Sequence, residues 1–145
     1  MSRFIRCLIK LLSIIAVSGC GDSVHELDNK LVTISVGGKS VLVELALSPQ
    51  AQTRGLGGRT TYGKADGMLF VFEKPFAPCF TMKDTEQPLK LFLFNELGQV
   101  MDQRQLFPRE TGVCFEQKAS LALELYTKYP HQIHVGDQLK MPLYR

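Results

Sequence analysis

The stretch LVTISVGGKSVLVELAL, residues 31–47, decides the fold class. Apolar residues occupy every second position from 32 to 36 and again from 41 to 47. Successive side chains of a β-strand point to opposite faces, so this period of two predicts two strands. Gly37-Gly38 lies between them, and a short glycine turn between two such runs is typical of a β-hairpin.

Strand patterns continue through the rest of the chain. Leu89, Leu91 and Leu93 share one face of a strand whose other face carries Phe92 and Phe94. Further strands are predicted at Met68–Phe72, Cys79–Met82, Gln99–Leu106 (returning antiparallel), Leu121–Leu125 and Gln138–Met141. The expected fold is therefore mainly β (α+β), a compact barrel- or sandwich-like domain of about seven short strands with two short helices.

The two helices have different sequence signals. Ser48-Pro49 is typical of an N-cap followed by proline in the first helical position, and Gly55 is a suitable terminator. A short helix is therefore predicted from Pro49 to about Arg54. The second, a helix or turn, is predicted around residues 126–132.

The first twenty residues have the order of an export signal. Arg3, Arg6 and Lys10 carry positive charge, residues 11–17 are mostly apolar, and small residues precede Cys20. The apolar run is shorter than the roughly 20 residues that cross a bilayer. Because residues 17–20, VSGC, resemble the bacterial lipobox, we expect cleavage before Cys20 and lipid, such as palmitate, on its sulfur. An ordinary signal peptide that contains a cysteine is the alternative.

These signals divide the chain into three parts. A lipoprotein signal peptide covers residues 1–19, a polar tether covers 20–30, and one globular domain covers 31–145. By resemblance to Gram-negative lipoproteins, Gly21 lacks the aspartate that retains such proteins at the inner membrane. The expected location is the periplasmic side of a membrane in the cell envelope, with the outer membrane favoured over the inner.

The charge of the mature chain argues against a nucleic-acid partner. The whole chain has 17 basic and 14 acidic residues, but three of the basic ones lie in the signal, which leaves 14 of each. A nucleic-acid surface requires clustered basic residues, and this balance offers none.

Cys79 and Cys114 are the two cysteines left once the signal peptide is removed and Cys20 carries lipid. In an oxidising compartment, two such thiols commonly form one disulfide. Two alternatives stay open at this point: two unpaired buried thiols, or a nucleophilic cysteine with a histidine partner.

Several motifs, in this order, resemble a family catalogued as domain of unknown function 192: residues 54–60 (RGLGGRT), 67–72 (GMLFVF), 80–85 (FTMKDT), Pro88-Leu89, and Ile133 shortly before Gly136-Asp137. The resemblance covers about residues 31–143. It implies a small exported or lipid-anchored single domain, mostly β, with no settled activity.

The chain departs from the family pattern at four places. Thr81 stands where the family usually has tryptophan, Asp84 where it has asparagine, and Lys90 where it has aspartate. Leu-Met-Gly-Arg has become Leu56-Gly57-Gly58-Arg59. The resemblance therefore implies either a changed ligand preference or loss of the family's site.

The candidate ligand-binding residues are Arg54, Arg59, Lys83, Asp84 and Thr85. Guanidinium groups beside a glycine-rich turn suit a small anionic ligand or glycan, and loops at strand ends commonly carry such sites. The alternative is structural: each arginine pairs with an acid such as Asp66 or Glu73, and Asp84-Thr85 form a side-chain turn.

No catalytic, cofactor or metal-binding residue is predicted. His131, His134 and Asp137 are metal-ligand types, but their spacing in a polar turn is a weak pattern. We expect a non-catalytic module that binds a small ligand, glycan or envelope protein, beside its attachment to the membrane through Cys20. The alternative is a hydrolase-like enzyme that acts on envelope polymers, which a free Cys79 beside a histidine would favour.

Overall fold

The computed structural model describes residues 25–141. The predicted signal peptide, the lipid-bearing Cys20 and the last four residues of the predicted domain lie outside this range. In the part described, no helix is long and apolar enough to span a membrane.

The described chain is mainly β, as predicted, with nine strands and little helix. Seven strands form one sheet in the order β6-β5-β8-β3-β2-β1-β9, and β4 pairs with β7 in a separate small sheet. Their bounds are β1 Leu31–Val36, β2 Lys39–Ala46, β3 Gly67–Phe76, β4 Cys79–Phe80, β5 Leu89–Phe94, β6 Val100–Leu106, β7 Val113–Cys114, β8 Ala119–Tyr126 and β9 Leu139–Lys140. A 3-10 turn covers His25–Leu27, and one α-helix, α1, covers Pro49–Arg54.

The large sheet curls into a half-barrel. Its two edges approach each other where Gln99 forms an isolated antiparallel bridge with Gln138. The backbone N–H groups of Val100 and Leu139 donate across this junction, to Asp137 and Gly98. The predicted barrel-like curvature is therefore present, with closure at one end of the edge strands.

The hairpin and α1 follow their sequence patterns. β1 and β2 pair antiparallel, with Val36 opposite Lys39 across the Gly37-Gly38 turn. Ser48 caps α1, since its Oγ accepts a hydrogen bond from the N–H of Ala51 at 3.1 Å. Of the helix or turn predicted around residues 126–132, the turn is present and the helix is not. Residues 127–128 form a turn in which the Tyr129 N–H donates to the Tyr126 carbonyl, and Pro130 follows at once.

The curled sheet is apolar on both faces. The interior face carries branched and aromatic residues from most strands of the sheet, among them Ile34, Val43, Leu69, Phe92 and Leu123. The outer face carries a second cluster that includes Met68, Phe70, Leu91, Ala122 and Tyr126, together with Ala51 of α1 and Val113 of β7. Because α1 lies in the crossover between the parallel strands β2 and β3, it covers this outer face.

Gly67 marks a close approach of β3 to β8 within the sheet that separates the interior and outer clusters. A Cβ added to Gly67 would lie 1.8 Å from the Glu124 carbonyl oxygen, so only glycine fits at this position. The strands pair antiparallel from Gly67 opposite Leu125 to Val71 opposite Leu121. This pairing fixes which residues of β8 face outward.

The domain's hydrogen bonds begin before residue 31. The Asp28 carboxylate accepts bonds from the backbone N–H of Leu47 at 2.8 Å and of Ser48 at 3.1 Å, and from the Ser48 hydroxyl. The Asn29 N–H donates to the Leu45 carbonyl at 2.8 Å. The last residues of the segment predicted as a tether are thus attached to β2 and α1.

Candidate functional site

A cavity of about 410 Å³ opens on the outer face beside α1. We refer to it as the α1 cavity. Its wall is formed by α1 and the turn that follows it, by phenylalanines of β3, by the segment 78–85 and by one residue of β8: Pro49, Gln52, Thr53, Arg54, Gly55, Leu56, Gly57, Phe70, Phe72, Phe76, Pro78, Cys79, Phe80, Thr81, Asp84, Thr85 and Glu124.

Hydrogen bonds hold the two sides of the α1 cavity in place. The Gln52 side-chain amide donates to the Val71 carbonyl at 2.9 Å, which attaches α1 to β3. On the other side, the Gly58 N–H donates to the Asp84 carbonyl at 2.7 Å. The two loops predicted to carry the site, 54–60 and 82–85, are therefore in contact, as a shared site requires.

Glu124 lies at the base of the α1 cavity and was not predicted. Its side chain is 5% exposed. A Cβ on Gly55 would lie 3.7 Å from Glu124 Oε2 and 3.4 Å from Phe70, so the carboxyl group sits beneath the end of α1. Burial raises the pKa of Glu124 from its ordinary 4.5 to about 7.

No group among residues 25–141 forms a hydrogen bond or ion pair with the Glu124 carboxyl. A buried ionisable group without a partner costs stability. Such groups concentrate at functional sites, where ligand or substrate supplies the missing interaction. The combination of an open cavity, a wall with four phenylalanines and an unpaired acid makes this the candidate site.

The structure divides the predicted ligand-binding residues into two groups. Arg54, Asp84 and Thr85 line the α1 cavity, whereas Arg59 and Lys83 do not. Arg54 is exposed at the rim, and its guanidinium lies 3.4 Å from the Asn29 side-chain oxygen. The three basic candidates, Arg54, Arg59 and Lys83, therefore do not line one cavity.

Arg59 forms an ion pair, which is the structural alternative to ligand binding. Its partner is Glu44 rather than Asp66 or Glu73. Its two terminal nitrogens each donate to one Glu44 carboxylate oxygen at 2.6 Å. Both side chains are largely buried on the outer face, at 26% and 13% exposed. The hydrogen bonds that Arg59 donates to Glu44 raise the pKa of Arg59, so the guanidinium is charged throughout the physiological range.

The disulfide between Cys79 and Cys114 is present, as predicted, and joins β4 to β7. The two cysteines are directly opposite each other in this pair of strands. Cys79 contributes to the wall of the α1 cavity. A nucleophilic Cys79 thiol, the sequence feature that would have favoured a thiol hydrolase, is absent because its sulfur is bonded.

The C-terminal histidines have structural neighbours. The His131 ring packs edge-on against Tyr129, with centroids 5.5 Å apart. The Asp137 carboxylate accepts a hydrogen bond from the His134 N–H at 2.9 Å, which closes a turn. Across residues 25–141, no three His, Cys, Asp or Glu side chains are grouped closely enough to hold a metal ion.

Three of the four departures from the family pattern fall on one cavity. Gly57, Thr81 and Asp84 all line the α1 cavity. The fourth, Lys90, lines a separate cavity of about 350 Å³ between β5, β6 and residues 132–134. The positions at which the resemblance implied a changed ligand preference are therefore mostly neighbours in space.

Comparison with solved structures supports the fold. A protein provisionally named a transcription regulator, from Sinorhizobium meliloti 1021, superimposes with a TM-score of 0.69 at 23% identity, over 79% of this chain and 95% of its own. A protein of unknown function from Novosphingobium aromaticivorans DSM 12444 gives 0.67 at 22% identity, over 89% and 94%. At these identities, the likeness extends to the fold alone.

Comparison with curated proteins finds no match. The family model DUF192, described as "Uncharacterized ACR", matches residues 32–141. The matched region contains all residues of the α1 cavity and every strand of the sheet apart from Leu31, the first residue of β1. The chain therefore belongs to the DUF192 family.

Proposed function

We propose that the protein is a lipid-anchored, non-catalytic module of the cell envelope that binds a small ligand in the α1 cavity. The observation that supports binding there is the unpaired Glu124 carboxyl at the base of an open cavity with four phenylalanines in its wall. A group that destabilises the fold in this way is explained if a ligand supplies its partner. The anchor rests on the lipobox-like sequence that ends at Cys20.

The binding site is tested by a bulky substitution on α1 that fills the α1 cavity. Thr53 is exposed on α1 and lines the α1 cavity, whereas Gln50 is exposed on the same helix and does not. Thr53→Trp should abolish binding of small-molecule hits found with the wild type in a ligand-observed NMR screen of a chemically mixed library. Gln50→Trp, which adds the same ring outside the cavity, should leave those hits bound.

Hits that persist unchanged in Thr53→Trp would contradict the proposed site. A screen that yields no hit of any charge class would contradict the proposed function. Both variants should keep the thermal midpoint of the wild type within a few degrees, since each side chain points into solvent or open space rather than into the packed layers.

The lipid anchor needs a separate experiment. Cells supplied with labelled palmitate should label the wild-type protein and fail to label Cys20→Ala. Cys20 is the cysteine that follows the predicted export signal, and the disulfide already uses Cys79 and Cys114. Equal labelling of both proteins would remove the anchor from the proposal and leave the cavity untouched.

A hydrolase that acts on envelope polymers is a second candidate, because two carboxyl groups line the α1 cavity. Glu124 has a raised pKa, and Asp84 is exposed at the loop. Two carboxyl groups, one of them with a raised pKa, are the functional groups that most glycoside hydrolases use. Release of reducing ends from purified envelope glycan, lost in both Glu124→Gln and Asp84→Asn, would establish this candidate over the binding module.

A further inference from the structure

The charges around the α1 cavity leave its interior negative. Arg54, Asp84 and Glu124 are the charged residues of its wall. Arg54 is exposed and directed to Asn29 at the rim. Since Asp84 is also exposed, Glu124 is the one buried charge-bearing group of this wall, and it has no counter-ion there.

The rings of the cavity wall suit a cation. Phe72 and Phe76 pack edge-to-face with centroids 4.7 Å apart, and Phe70 and Phe80 do so at 6.0 Å. Phe76 is 46% exposed, so part of its ring is open to a ligand. The face of an aromatic ring attracts ammonium groups, and this attraction increases where water is excluded.

We propose that the α1 cavity binds a protonated amine that carries an apolar group, with Glu124 as its counter-ion and the phenylalanine rings packed around it. This inference rests on the proposed function and specifies its ligand class. An anion would meet an acid and aromatic faces with no buried donor opposite it. A neutral alcohol would leave the charge of ionised Glu124 unmatched.

Proton coupling follows from the same geometry. The titratable groups nearest Glu124 are Arg54 on α1, Asp84 on the 82–85 loop and Tyr126 on its own strand. The Arg59–Glu44 pair lies farther along the same face, where Glu44 is opposite Met68. Its cross-strand neighbours, Met68 on β3 and Leu91 on β5, do not titrate. An ammonium group binds the ionised carboxylate, so below pH 7 a proton competes with it.

The experiment compares three probes of one shape and different charge: benzylamine, benzyl alcohol and benzoate. Binding to the full-length protein is measured by ligand-observed NMR titration at pH 6 and pH 8. Benzylamine should bind most tightly at pH 8 and weaken about tenfold at pH 6, since the ionised fraction of Glu124 falls by about that factor. Benzyl alcohol should show no comparable change between the two pH values.

Variants assign the effect to one residue. Glu124→Gln keeps the shape of the side chain and removes its charge, so the preference for benzylamine over benzyl alcohol and its pH dependence should both disappear. Glu86→Gln removes an exposed acid outside the cavity wall and should preserve both. The thermal midpoint of each variant verifies that it is folded.

Three outcomes would overturn the inference: benzyl alcohol or benzoate binding as tightly as benzylamine at pH 8, a benzylamine preference that survives in Glu124→Gln, or no binding of any probe. The first two, if Thr53→Trp still abolishes probe binding, would keep the α1 cavity as a ligand site and change its ligand class. The library screen with Thr53→Trp and Gln50→Trp decides the proposed function independently of these three probes.

Discussion

The two faces of the half-barrel are both buried, but they are built differently. The interior face is a continuous cluster of aliphatic and aromatic residues, and Glu124, the one buried charged residue among residues 25–141, does not belong to it. The outer face holds the buried Glu124 and Thr85 and the Arg59–Glu44 pair, beneath short covering elements. Two of those elements, β4 and β7, are joined by the exposed disulfide. The interior therefore provides stability, whereas the outer face has exchanged some apolar packing for polar groups and a cavity.

The largest loss of stability is expected at Gly67, where β3 and β8, the strands between the interior and the outer layer, come closest together. Gly67→Ala would place a Cβ 1.8 Å from the Glu124 carbonyl oxygen, so β3 and β8 must separate. We expect a loss of more than about 4 kcal/mol in the free energy of unfolding, measured by chemical denaturation.

Gly63→Ala is the matched control for this change. Gly63 has a positive φ of 63° and open space around it, so its replacement should cost only about 1–2 kcal/mol from backbone strain. Equal losses in the two variants would show that close approach of β3 and β8 is unimportant, and that both layers tolerate a shift in this pairing.

Removal of the disulfide should destabilise the layer that covers the outer face more than it destabilises the interior. The double variant Cys79→Ser/Cys114→Ser opens a covalent loop with a sequence separation of 35 residues. The chain-entropy model predicts a loss of about 3–4 kcal/mol. Hydrogen exchange should show lost protection in residues 78–85 and 113–115, with the β1–β2 hairpin still protected after allowance for the lower global stability.

Reduced wild-type protein provides the control, since it lacks the bond and retains both cysteines. Its stability and its pattern of hydrogen-exchange protection should match those of the double variant. If protection falls uniformly across the hairpin and the covering layer, the comparison between the faces is wrong, because the two layers would then unfold as one unit.

The pH dependence of stability should reveal the buried acid of the outer face. Between pH 4.5 and about 7 the unfolded chain releases the Glu124 proton while the folded chain retains it, so this group lowers stability as pH rises. Relative to Glu124→Gln, the wild type should lose about 3 kcal/mol between pH 4 and pH 8, at about 1.4 kcal/mol for each pH unit. The measurement is urea denaturation of both proteins across this range.

Glu86→Gln should show no such difference from the wild type, because Glu86 is exposed. Parallel stability curves for the wild type and Glu124→Gln over the whole pH range would mean that the Glu124 carboxyl is solvated or has a partner. In that case, it would not distinguish the outer face from the interior.

The smallest effect concerns the two arginines. Arg59→Ala leaves the Glu44 carboxylate without its bidentate partner and should cost about 2 kcal/mol in thermal or chemical denaturation. Arg54→Ala, at the exposed rim, should cost less than about 0.5 kcal/mol. If a double-mutant cycle with Glu44→Ala shows no coupling energy, the ion pair does not contribute to the stability of the outer layer.

Much of the fold could be predicted because the interior face obeys a simple period. The hairpin at 31–47, the division of β5 into leucine and phenylalanine faces, and the Ser48-Pro49 helix start are all confirmed. β7 was missed because Val113–Cys114 is two residues long. It is held by pairing with a strand 35 residues away, and no local pattern encodes that contact.

The candidate site was predicted in part. The loops 54–60 and 82–85 do meet, but the acid at the base of their cavity was missed. In LALELY, residues 121–126, Glu124 alternates with leucines and so resembles a solvent-facing residue. Ala122 and Tyr126 lie on the same face of β8 and are also buried. These two apolar neighbours of Glu124 are the sequence signal that this face is covered.

The Asp28 contacts determine where a mechanical load would enter the domain. Burial opposes ionisation of Asp28, but hydrogen bonds from Ser48 and Leu47 outweigh it and lower the pKa of the carboxyl. Ser48 is the N-cap of α1, so tension on the chain before residue 28 reaches this helix through the carboxylate as well as reaching β1 along the backbone. A pull on the chain before residue 28 would therefore act on one wall of the α1 cavity as well as on the sheet.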